Sequence, residues 1–134
     1  MHIAAYLAVE EHLLPALRRL EEAFSRLAEE YSGIIKTGRT HLQDATPLTL
    51  GQEISGWAAL LRADGEMLSA GLSGLSELAL GGTAVGTGLN APKGFGEAAA
   101  AGIAALTGKP FVTAPNKYAA LSGKNQLAFD HGGM

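Results

Sequence analysis

Residues 13–31, LLPALRRLEEAFSRLAEEY, decide the fold class. Leu13, Leu17, Leu20, Phe24, Leu27 and Tyr31 step by 4, 3, 4, 3 and 4 positions. That is the a/d spacing of a helix presenting one apolar stripe to a bundle. Arg18, Arg19, Glu21, Glu22, Arg26, Glu29 and Glu30 take the other face and pair opposite charges three or four apart. Pro15 removes an amide donor within this pattern, so the helix is expected to kink there or effectively to restart at Pro15. Ser32-Gly33 ends it.

The same logic extends downstream. A second helix is predicted to start with Thr46 as N-cap and Pro47 in the first helical position. Its stripe is Leu50, Ile54, Trp57, Leu61, Leu68, Leu75 and Leu78, with Asp64 and Gly71 on the same side, and Gly81-Gly82 stops it. Gly71 and Gly74 weaken an isolated helix by up to about 1 kcal/mol each relative to alanine, which close approach of a neighbouring helix would explain. Residues 81–96, GGTAVGTGLNAPKGFG, must be loop. An alanine-dominated third helix spans Glu97 to Leu106, closed by Thr107-Gly108. Phe111-Val112-Thr113 is short and extended at best. Asn116 is expected to cap a last helical segment from about Lys117 towards Phe129, weakened by Gly123, and the ending DHGGM reads as a cut rather than a natural terminus. No strand-like alternation exceeds three or four residues, so the class is all-α: a long-helix bundle, with residues 1–134 forming a single partial domain.

Composition narrows the function. The chain is 47% hydrophobic and 17% charged, apolar for a free-standing domain of this length, which suggests burial against partner chains or other parts of the same protein. A net charge of −3 with no basic stripe disfavours a nucleic-acid partner. There is no cysteine, compatible with a reducing cytosol and excluding disulfides and thiolate metal sites. MHIAAYLAVEEHLL lacks a basic n-region and a cleavage site, so it is not a signal peptide. No uncharged apolar run approaches the roughly 18 residues of a membrane span.

The densest chemistry lies in Gly38–Glu53, GRTHLQDATPLTLGQE. A histidine such as His41 can give or take a proton. Thr40, with the backbone amides of a tight loop, can hold a carboxylate oxygen, and Arg39 adds positive potential. Gln43 completes the polar cluster. Asp44 could orient the imidazole or cap the following helix. A histidine in a polar loop is, however, more often a surface or hydrogen-bonding residue than a catalyst. His2 and His12 have no partner at metal-ligand spacing, and His131 lies near the chain end. No metal motif is present, so no metal is expected. Gly86-Thr87-Gly88 imitates a dinucleotide fingerprint but follows a helix rather than a strand. The glycine loop reads first as a tight turn, and second as a support placing Thr83, Thr87 or Asn90 near an anion.

GRTHLQDATPLTLGQEISGWAA, GGTAVGTGLNAPKGF and PFVTAPNKYAAL together resemble the class II fumarases of the fumarase/aspartase superfamily, over essentially the whole chain. His41 sharpens the likeness, since aspartases typically carry glutamine there. The resemblance implies a central helical domain in a homotetramer, in which each active site combines loops from three subunits. It implies reversible trans addition of water to fumarate giving (S)-malate, a tricarboxylic acid cycle reaction, with no cofactor and in the cytoplasm, or in mitochondria of a eukaryote. On this basis Thr40 contacts a substrate carboxylate and His41 transfers protons, while Gln43 and Asp44 shape the loop; Arg39 and Gln43 are the supporting residues. The family's segment before MHIAA and its mobile GSSxMPxKxN loop, with the general-base serine, are not in this sequence. The chain is therefore expected to be an inactive middle piece. Two rivals stay open: an ammonia-lyase or other superfamily member acting on a different four-carbon dicarboxylate, and a purely structural helical assembly module.

Overall fold

Pro15 leaves its mark on the backbone just upstream of itself. In the computed structural model, which describes residues 1–132, α1 (His2–Ala8) runs into a π-helical turn over Val9–Leu13 and continues as α2 (Leu14–Glu30). The π turn falls where the proline ring would collide with the carbonyl four residues back and where one ladder hydrogen bond is lost. The irregularity that the sequence places at Pro15 is thus a π-helical turn within one continuous helical run. Two further helices are long, α3 (Leu50–Leu75) and α4 (Phe95–Thr107), and the chain ends in α5 (Lys117–Ser122) and α6 (Asn125–Gly132). The class is all-α with little sheet, as the heptad spacing predicts.

The described residues divide into two compact units, 11–67 and 1–10 with 68–132. In the first, α2 and the beginning of α3 meet through their stripes. The rings of Phe24 and Trp57 lie 5.9 Å apart, and Glu21 accepts from Arg62 at 2.5 Å. Gly51 lies against the end of α2, its amide donating to the Tyr31 carbonyl at 3.1 Å, and Leu14, Ile54 and Ala58 are buried.

Between those helices the structure departs from the expected loop followed by a helix start at Thr46-Pro47. Residues 35–49 form an antiparallel hairpin, β1 (Ile35–Thr40) with β2 (Gln43–Thr49), with Ile35 opposite Thr49 and Thr40 opposite Gln43. Between Thr37–Pro47 and Arg39–Asp44 the register shifts by one residue on β2, so a bulge lies opposite Gly38. A Cβ on Gly38 would stand 2.6 Å from the Thr46 carbonyl oxygen, and only glycine fits. Thr46 and Pro47 are strand residues, not a helix start; Pro47 sits at an outer edge, where its missing amide costs nothing. The helix starts three residues later. The Thr49 amide donates to Gln52 Oε1 at 2.9 Å and the Gln52 amide to Thr49 Oγ1 at 3.1 Å, a reciprocal capping box.

In the second unit α3 ends at Leu75, short of the predicted Gly81-Gly82 stop. Glu77–Leu78 becomes β3, pairing in parallel with β4 (Val112–Thr113). That pairing gives the Ser76 and Leu78 carbonyls to the amides of Val112 and Ala114 at 3.0 and 2.8 Å, bonds a continued helix could not offer. Gly74 faces Gln126, whose side chain fills the space a Cβ would need. Leu68, Leu72, Leu75 and Leu78 form the core with Ala100 and Phe111, and Tyr6 meets Phe111 edge-on at 5.1 Å. Glu10 pairs with Lys109 at 2.5 Å. Gly108 closes α4 in the left-handed conformation at φ 67°, as expected of Thr107-Gly108. Asn116 caps α5, accepting from the Ala119 amide at 3.0 Å. The predicted single last helix is two, broken at Gly123, which is extended.

Candidate functional site at the hairpin tip

The chain reverses at His41 and Leu42, the two residues between the closing pair Thr40–Gln43. Both have positive φ, 50° and 61°. Positive φ at both central positions is the signature of the turn whose twist matches a two-residue hairpin, which normally selects Asn-Gly. A histidine and a leucine there cost local strain, and strained non-glycine residues cluster at functional sites. The imidazole of His41 is exposed, and Leu42 is 96% exposed.

The strand period sorts the remaining candidates. Thr40 and Gln43 face each other as the closing pair and share one face of the hairpin with Lys36 and Leu48. Arg39 and Asp44 share the opposite face and pair at 3.2 Å, Nε to Oδ1, both largely exposed. Asp44 thus neither caps a helix nor needs to orient the imidazole: its partner is Arg39. The same pairing offsets the positive potential expected of Arg39. The tip brings His41, Thr40 and Gln43 together around an open end, and it places Arg39 on the other side.

Sequence reasoning missed what anchors this tip. The Leu50 amide donates to the Ile34 carbonyl at 2.8 Å, so the strand ladder runs directly into α3. Lys36 Nζ meets Glu53 Oε2 at 2.5 Å, tying β1 to the first turn of α3, each side chain one third exposed. The capping box was legible, since TLGQ matches the Ser/Thr-x-x-Glu/Gln pattern before an apolar run. The Lys36–Glu53 pair, seventeen residues apart, leaves no such signal.

The glycine loop follows its first reading. Gly81, Gly86 and Gly88 take positive φ, the Gly86 and Gly88 amides donate to the Gly82 carbonyl, and a Cβ on Gly86 would stand 2.7 Å from the Tyr118 ring. Thr83, Thr87 and Asn90 are exposed. Thr87 lines a shallow cleft of about 250 Å³ with Lys93, Glu97 and Lys117, whereas Thr83 and Asn90 do not. His12 is exposed in the π turn, and His2 lines a separate cleft of about 210 Å³ with Glu77 and Lys124. The side chain of His131 lies outside the described residues. Among the described residues no three His, Cys, Asp or Glu side chains are grouped as a metal site would need, and no helix is long and apolar enough to cross a membrane.

Comparison with known proteins agrees with this architecture. Residues 1–132 match the model of the lyase family. The chain is 58% identical over 134 residues to the class II fumarate hydratase of Ralstonia nicotianae, and 53% identical over the same length to that of Halalkalibacterium halodurans. It is covered completely in both matches and spans 29% of each relative's length. Among solved structures, the class II fumarase of Schistosoma mansoni superposes with a TM-score of 0.93 at 34% identity, covering 99% of this chain and 31% of that one. A fumarate lyase:delta crystallin from Brucella melitensis, bound to cobalt, gives 0.85 at 34% identity, covering 98% and 28%.

Proposed function

This chain belongs to the lyase family, and we propose that it is the central segment of a fumarate hydratase, which adds water reversibly and trans across fumarate to give (S)-malate. The observation that carries the reading is the exposed imidazole of His41, held by a left-handed backbone next to the Thr40 hydroxyl. The identity of the relatives supports the same reaction class.

In this reading His41 accepts a proton from water as the oxygen adds to one alkene carbon, and Thr40 donates a hydrogen bond to a substrate carboxylate. Gln43, paired with Thr40 on the same face, shapes the loop that holds them. Arg39 acts through its pairing with Asp44, keeping the tip in register. The proton that reaches the other alkene carbon belongs to a group outside these 134 residues, the serine implied by the family resemblance. The 134 residues act as one partial domain of a homotetrameric, cytoplasmic enzyme of the tricarboxylic acid cycle. No cofactor enters the scheme, because proton transfer and carboxylate binding are within reach of side chains.

The test uses the full-length parent. His41→Asn keeps a residue that tolerates positive φ, so assembly should persist while fumarate turnover falls by about 10²- to 10⁴-fold. Unchanged turnover would remove His41 from the chemistry. A panel of fumarate, malate and aspartate separates hydratase from ammonia-lyase. The isolated segment should show no turnover; hydration by it at enzymatic rates would mean that the essential groups are all present here.

A further inference from the structure

We propose that Lys36 and Glu53 are positioning residues for the hairpin tip, and this rests on the hydratase reading of His41 and Thr40. A two-stranded hairpin is marginally stable by itself, so its direction must come from its foot. There the backbone supplies the bonds from Leu50 to Ile34 and from Gly51 to Tyr31. Such bonds fix where the ladder begins but resist tilting weakly. The Lys36–Glu53 contact is a side-chain link on the face that also carries Thr40 and Gln43, and joins β1 to a residue of α3 in the turn that the Thr49–Gln52 capping box starts. It acts as a brace.

The lever is long. His41 lies five positions beyond Lys36, about 16 Å of strand, so a tilt of about 4° at the foot moves the tip by about 1 Å. A displacement of about 1 Å is enough to cost on the order of 10²-fold in rate at a catalytic group. By contrast, a partly exposed ion pair contributes little to stability. Positioning and bulk stability therefore predict different outcomes when the pair is cut.

The experiment compares Lys36→Met, Glu53→Gln and the charge-swapped double variant, Lys36→Glu with Glu53→Lys, in the full-length parent. Each single change should lower kcat about 10- to 100-fold and raise KM by less than about fivefold, with Tm moving by no more than about 3 °C. The swap should bring kcat back to within about fivefold of the unaltered enzyme, because opposite charges again face each other. Amide hydrogen exchange from Arg39 to Asp44 should quicken in both single variants and slow again in the swap. Single variants within about twofold of the parent kcat, a loss of kcat that merely follows loss of Tm or assembly, or a swap no better than its components would each overturn the proposal. If the unaltered parent fails to hydrate fumarate, the hydratase reading fails by itself. The exchange pattern then decides whether the pair braces the tip: unchanged exchange in the single variants overturns the brace, and swap-reversible quickening sustains it.

Discussion

Gly51 lies so close to Ala28 that a Cβ at position 51 would overlap the Ala28 carbonyl oxygen, and it would stand 2.8 Å from Ser32 Cα. Both obstacles are backbone, which cannot rotate aside. Gly51→Ala should therefore destabilise the chain by about 2–3 kcal/mol, the cost of forcing volume into a packed contact, despite alanine's better helix propensity. Denaturant unfolding measures it, and a gain in stability would mean that the helix ends separate without penalty.

Thr49 and Gln52 satisfy each other's amides at the start of α3. Thr49→Ala should cost about 1 kcal/mol, whereas Thr46→Ala, at the position the sequence suggests as cap, should change stability by less than about 0.5 kcal/mol. The two midpoints compared side by side locate the helix start in solution.

Leu42 carries an exposed isobutyl group on a backbone at φ 61°. Leu42→Gly removes the left-handed penalty and should leave stability unchanged or raise it by up to about 1 kcal/mol, although glycine elsewhere in a hairpin lowers it. A clear loss would show that the leucine is buried against something in solution.

Tyr6 holds its phenolic proton above the ordinary value of 10.0, first because burial penalises the phenolate, next because the Glu10 carboxylate repels it, with Lys109 opposing in part. An unfolded tyrosine ionises near pH 10, and the folded one later. The contribution of neutral Tyr6 is thus fully present below pH about 10 and is lost as pH rises through the raised native value. Unfolding midpoints followed into the alkaline range should fall, and fall less in Tyr6→Phe.

Much of this arrangement is legible in the sequence. The stepping from Leu13 to Tyr31 gives α2, Gly108 gives the end of α4, and Asn116 gives a cap, because each depends on neighbours within a turn or two. The hairpin is not legible, since neither His41 nor Leu42 is the Asn or Gly that such a turn normally requires. The residues flanking it lack alternation because the bulge opposite Gly38 breaks the period. Thr46-Pro47 imitates a helix start, yet the ladder to Thr37 prevails. At the site, the chemistry of His41 and Thr40 can be read from residue type alone. The Arg39–Asp44 and Lys36–Glu53 pairs depend on strand register and on contact across seventeen positions, which no local pattern encodes.

The ladder reaches Ile35–Thr49 and the helix begins at Leu50, with no spare residue between them. An inserted residue at this joint would turn everything downstream by about 100° around the helix axis, and one within β2 would send its side chains to the opposite face. This junction tolerates exchange of one amino acid for another far better than any change in length, so the count of residues from 35 to 53 is as much a part of the candidate site as their identity.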